Sequence, residues 1–206
     1  MSKITGASVF IPEGSAAATD VAGSSQIWTK SDVPSSLYHT DDAGTDHRIN
    51  GITLSAEQAT TSGSAYTFSS IPAGTKIITI MLVGVSFDGS SDYIVTIGNS
   101  GGLQTSGYTS SAGDVAGAGG TGSTTAFRLT EGTASSSVYH GNVVLTLEDS
   151  ANFTWTSTSH LTRSNAAGTH LAAGSKSLSG ELTQLSFTTA GGSDSGDAGS
   201  VSIQYQ

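Results

Sequence analysis

Residues 76–97 read KIITIMLVGVSFDGSSDYIVTI. Two runs rich in Val, Ile and aromatic residues flank an Asp-Gly-Ser-Ser turn, the pattern of strand, turn and strand. The first run, 76–87, has apolar residues at consecutive positions, which predicts a central strand buried on both faces. The turn Asp88-Gly89-Ser90-Ser91 predicts that it folds back on 93–97 as a hairpin. Outward from this pair, strand patterns recur at 65–68, 125–130, 138–147 and 152–161. Val143, Leu145 and Leu147 alternate with Val144, Thr146 and Glu148, as in a strand with one wet face. Leu178, Leu182, Leu185 and Phe187 follow, and Val201, Ile203 and Tyr205 close the series with period two. No segment carries a helical period over any length. The expected fold is all-β, with a β-sandwich or jelly-roll head over residues 52–206.

Composition agrees with tight turns and a hydroxyl-rich surface. The 206 residues include 27 Gly, only 3 Pro and 11% charged residues. Aliphatic runs are too frequent for a disordered chain. Net charge is −9, from 7 basic and 16 acidic residues, and no window forms the basic stripe a nucleic-acid partner requires. Anionic membranes are disfavoured for the same reason. The most apolar window, 77–85, is too short to span a bilayer as a helix, so no membrane insertion is expected. There is no cysteine, which excludes disulfides and thiolate metal sites. Nor does an apolar run follow Met1-Ser2-Lys3 as in an export signal. Two Gly-rich windows, 110–124 and 188–200, read as loops, either solvated or ligand-binding.

The other informative stretch is 23–49, GSSQIWTKSDVPSSLYHTDDAGTDHRI. It holds two short strand candidates, 26–30 and 37–40, with Pro34 between them and the turn Asp41-Asp42-Ala43-Gly44-Thr45-Asp46 after them. So small a segment cannot enclose its own core, so Ile27, Trp28, Leu37 and Tyr38 are expected to be covered by other chains. The pattern G-x-x-Q-[IL]-W-x-K, P-x-x-L-[YF], T-D-D-A-G-T-D resembles the shaft segments of tail-fibre and adhesin proteins of tailed phages, especially phages of marine bacteria, with His39 where an aromatic is usual. In the region after residue 52, IPAGTKIITIM (71–81), GSSDYIVTIG (89–98) and GGLQTSGY (101–108) look like a β-rich module at the ends of phage fibre proteins.

The resemblance implies three parts: residues 1–22 as a virion-attachment segment and linker, 23–51 as an intertwined shaft, and 52–206 as the head. It implies a homotrimer, closed by cyclic symmetry, located in the virion. Such a protein assembles in the host cytoplasm and becomes extracellular after lysis. Ile4, Val9, Phe10 and Ile11 are the expected contacts to other virion structural proteins. The expected task is attachment to a host-surface glycan or receptor, with Tyr93, Leu103, Gln104 and Tyr108 as contact candidates around the 98–107 loop. The alternatives are a capsid or tail decoration protein without receptor binding and a small polysaccharide depolymerase.

No enzyme is expected. Glu13, Glu57, Glu131, Glu148 and Glu181 are too dispersed to nominate the facing carboxylates of a glycosidase, and no G-x-S-x-G motif is present. No cofactor or metal is expected either. His39, His47, His140, His160 and His170 show no ligand spacing, although a site assembled from distant strands or several chains stays open. The Asp41–Asp46 turn lacks the spacing of a calcium loop and reads as a hairpin turn. Trp155, with Phe153 on its own face of a strand, reads as core, with a sugar-stacking platform as the alternative.

Overall fold

A computed structural model describes residues 11–19, 23–31, 36–49, 51–117 and 119–206. The chain divides into two compact units, Met1–Ile52 and Thr53–Gln206. Among the described residues there are eighteen strands and no helix, so the protein is all-β.

The first unit is one sheet of β1 (Glu13–Gly14), β2 (Gln26–Lys30), β3 (Ser36–Thr40) and β4 (Asp46–Arg48), in that order. The β1–β2 pairing is parallel and the others are antiparallel. Glu13–Gly14 is thus an edge strand. The turn after β3 is built as expected: the Asp41 carboxylate accepts the N–H groups of Ala43 (3.0 Å) and Thr45 (2.9 Å), and Gly44 takes the positive φ of 79° that favours glycine. These bonds, led by the one to His47, hold the Asp41 carboxyl below the usual carboxylate range.

The second unit contains β5 (Thr53–Leu54), β6 (Gln58–Ala59), β7 (Ala65–Phe68), β8 (Ile77–Phe87), β9 (Tyr93–Asn99), β10 (Gly102–Leu103), β11 (Tyr108–Asp114), β12 (Gly120–Ser123), β13 (Phe127–Arg128), β14 (Tyr139–Asp149), β15 (Thr154–Arg163), β16 (Thr169–Ser177), β17 (Gln184–Thr189) and β18 (Gly196–Tyr205). They form two antiparallel sheets. The larger has nine strands in the order β12-β11-β16-β15-β14-β8-β18-β5, with β6 also on β18; the smaller has five, β10-β9-β17-β7, with β13 on β9. One hydrophobic cluster draws on both, from Ile78, Ile80, Val143, Trp155 and Ile203 of the larger to Tyr66, Val95, Leu185 and Phe187 of the smaller. Trp155 is core, at 1% exposure. The arrangement is compatible with a β-sandwich.

The hairpin expected at 76–97 does not form. β8 pairs with β14 and β18, whereas β9 pairs with β17, β10 and β13. The Asp88–Asp92 connection therefore crosses from one sheet to the other. Nor is β8 buried on both faces, since Val83 is 56% exposed. Its inward residues are Ile78, Ile80 and Leu82, then Val85 and Phe87. That change of parity is a bulge, where the register against β14 and β18 shifts. Gly84 (φ 63°) and Gly199 (φ 86°) sit back to back there; a Cβ on Gly199 would lie 2.3 Å from the Gly84 carbonyl oxygen, so only glycine fits. The Gly-rich window 110–124 is likewise not a loop, for it contains most of β11 and all of β12, paired from Ser110↔Ser123 to Gly113↔Gly120.

A buried polar cluster ties the segment after β13 to β9. Asp92 pairs with Arg128 and accepts the Thr133 N–H at 3.1 Å. Thr130 Oγ1 accepts from the Tyr93 N–H and the Thr133 hydroxyl, each at 2.8 Å. Asp92 is 8% and Thr130 0% exposed, so every donor buried here needs these partners.

Candidate functional site

The outer face of the nine-stranded sheet is built from small side chains at alternate positions. On β15, Thr156, Thr158, His160 and Thr162 face outward, because Trp155, Ser157, Ser159 and Leu161 turn in. Register carries this pattern sideways. Thr158 lies opposite Ala173 on β16, Ala173 opposite Ser111 on β11, and Ser111 opposite Gly122 on β12. The neighbouring row runs His160, Leu171, Gly113, Gly120, and a third runs Thr156, Ser175, Thr109.

Where these residues are smallest, the surface sinks. An open depression of about 490 Å³ is lined by Ser111, Gly113, Gly120, Thr158, His160, Leu171 and Ala173. A second, about 370 Å³, adjoins it over Thr109, Ser111, Ala173 and Ser175. Leu171 is 44% exposed. Hydroxyls that both donate and accept, set beside exposed methyl groups, can hold a polyhydroxylated ligand. The period-two threonines of TWTSTSHLT at 154–162 were the available signal for this face.

Beneath it lies His170, fully buried. Its Nδ1 accepts the Glu131 N–H at 3.3 Å, so Nε2 carries the proton and donates to the Tyr139 hydroxyl at 3.2 Å. Burial lowers its pKa from the ordinary value; Asp114, Asp92 and Glu131 oppose this and Arg163 adds to it. The unfolded chain takes up a proton at the ordinary value, about 6.5, while the folded one resists. Stability from His170 is therefore complete above that pH and declines as pH falls toward the lowered folded value. The urea midpoint should fall between pH 7 and pH 5, and His170→Gln should flatten that fall.

The sequence-nominated contacts fare unevenly. Tyr93 is 0% and Tyr108 2% exposed, which corrects their assignment as receptor contacts. Tyr93 packs edge-on to Phe87 and Tyr139. The Tyr108 hydroxyl accepts the Ile97 N–H (2.8 Å) and donates to the Gln104 carbonyl (3.0 Å), fastening the loop from inside. Burial pushes its pKa up to about 12. Leu103, half-buried, pairs with Gly98, and the Gln104 N–H bonds the Ile97 carbonyl at 3.0 Å.

In the first unit, Trp28 is only 8% exposed within a single chain, so it does not wait for other chains to cover it. Its indole N–H donates to Thr40 Oγ1 at 2.8 Å, and its ring stacks on Tyr38 with centroids 5.2 Å apart. Strand alternation puts Ile27 and Leu37 on the opposite face, 61% and 38% exposed. Ile11 is half-buried; Ile4, Val9 and Phe10 lie outside the described residues.

Comparison with family models, with curated proteins and with solved structures found no match.

Proposed function

We propose that the chain is a virion structural protein of the tail-fibre or appendage kind, attaching to a host-surface glycan through the outer face of the nine-stranded sheet. The observation that carries this is the set of exposed Thr109, Ser111 and Thr158 with half-buried Ser175 around Ala173 and Leu171, with its open depression. Hydroxyls match the donors and acceptors of sugar hydroxyls, and the methyl groups offer contact to sugar C–H faces. Such a site is weak alone, and three heads in a trimer sum it by avidity. In this reading residues 52–206 form a sandwich or jelly-roll head, residues 1–22 dock on other virion proteins, and neighbouring chains cover Ile27 and Leu37.

Two measurements test it. Ala173→Trp fills the depression from an exposed position, where substitution leaves stability within about 0.5 kcal/mol. On an array of bacterial surface polysaccharides the wild-type chain should bind and this variant should not. Absence of any wild-type binding would favour a decoration role, and equal binding by the variant would remove this face from the reading. Sedimentation should give a trimer at micromolar concentration; a clean monomer would refute the assembly.

A further inference from the structure

We propose that His39 and His47 form a two-imidazole clamp for a late first-row divalent cation, of the class Ni(II), Cu(II) or Zn(II). The two residues are eight apart in sequence, with no ligand motif between them. The Asp41–Asp46 turn brings them directly opposite each other on β3 and β4. Their rings face one another with centroids 6.0 Å apart and planes 27° from parallel. An imidazole nitrogen binds these metals at about 2.0–2.1 Å along a lone pair in the plane of its ring; the stacked rings do not yet aim at one point, so His39 must turn to another rotamer to bring a nitrogen to a cation held on His47.

A second feature points the same way. Asp41 Oδ2 lies 2.9 Å from His47 Nε2. A carboxylate there accepts the hydrogen bond of the Nε2–H and so leaves Nδ1 with the lone pair, the arrangement that stands behind metal-bound histidine. Asp41 is itself fixed by the N–H groups of Ala43 and Thr45, so it holds the ring without having to be ordered first. The pair is reachable, with the His47 side chain 56% exposed, and the net charge of −9 favours a cation. Among the described residues no group of three or more ligating side chains gathers. The clamp therefore supplies two ligands and water completes the coordination. Imidazole nitrogen selects borderline metals over calcium and magnesium, which require oxygen.

Calorimetric titration of the full chain with NiCl2 and ZnCl2 tests this. One saturable event per chain is expected, with none for CaCl2. His39→Gln and His47→Gln should each remove it, and Asp41→Asn should weaken it about 10–100-fold. Histidine ring protons of the wild type should shift at these two residues and not at His140, His160 or His170. Absence of saturable binding at millimolar metal, or binding that survives in the double His39→Gln/His47→Gln variant, would overturn the proposal. An equal response to calcium would do the same.

Discussion

Asp92→Ala should destabilise the second unit by about 3–5 kcal/mol, the usual cost of breaking a buried ion pair from one side. The loss is compound. Arg128, with its side chain only 18% exposed, keeps its charge but loses its partner, and the Thr133 N–H loses its acceptor. Asp92→Asn keeps the oxygen that serves Thr133 and should cost less. Changing both partners, as Asp92→Ala with Arg128→Met, should recover part of the loss, because no charge is then left buried alone. Urea unfolding of the four proteins orders them, and a double variant less stable than Asp92→Ala would contradict this account.

Phe187→Ala should be comparably severe, at about 3–5 kcal/mol. Phe187 is 0% exposed and its ring meets those of Phe87, Tyr93 and Tyr66 at 5.8, 5.6 and 6.3 Å. Phe87 belongs to the nine-stranded sheet and the others to the five-stranded one, so the deletion opens a void where the sheets meet. By contrast, Ile27→Ala, at an exposed site of the first unit, should leave a monomer's stability within about 0.5 kcal/mol. Thermal melts at matched concentration separate the cases.

The elements with strong side-chain patterns were legible in the sequence. Alternation at Val143, Leu145 and Leu147, and at Val201, Ile203 and Tyr205, marks β14 and β18. What failed was partner choice. DGSSD has the composition of a hairpin turn, but the turn residues alone do not say whether the next strand returns to the same sheet. That is decided by Phe87 and Tyr93 packing across the core at 5.0 Å. β11 and β16 escaped notice because YTSSAGD and THLAAGSKS hold too few β-branched residues to signal a strand. Their pairing with each other and with β15 makes them strands, a tertiary effect that outweighs weak propensity. The candidate site is hidden from the sequence for the same reason, since its floor is made of these strands. Tyr108 was misplaced for a related reason: read as the border of a loop, it is an inward position of β11. Conversely, the histidines looked scattered because their meeting depends on the β3–β4 register.

The pairing of β8 with β18 fixes the order in which the protein can be made. Ile80 sits beside Ile203, and Leu185 of β17 beside Phe68 of β7, so each sheet waits for a strand translated more than a hundred residues after its neighbour. Loop closure over such distances is slow and comes before any contact can repay it. On the ribosome, β8 emerges before both of its partners; β14 can pair one edge, but the other stays unpaired until β18 follows. A nascent chain in that condition is prone to associate wrongly with its neighbours. Chains translated close together would therefore gain by finishing each second unit before they meet, and slow or crowded synthesis should yield more aggregate than the stability of the finished protein would suggest.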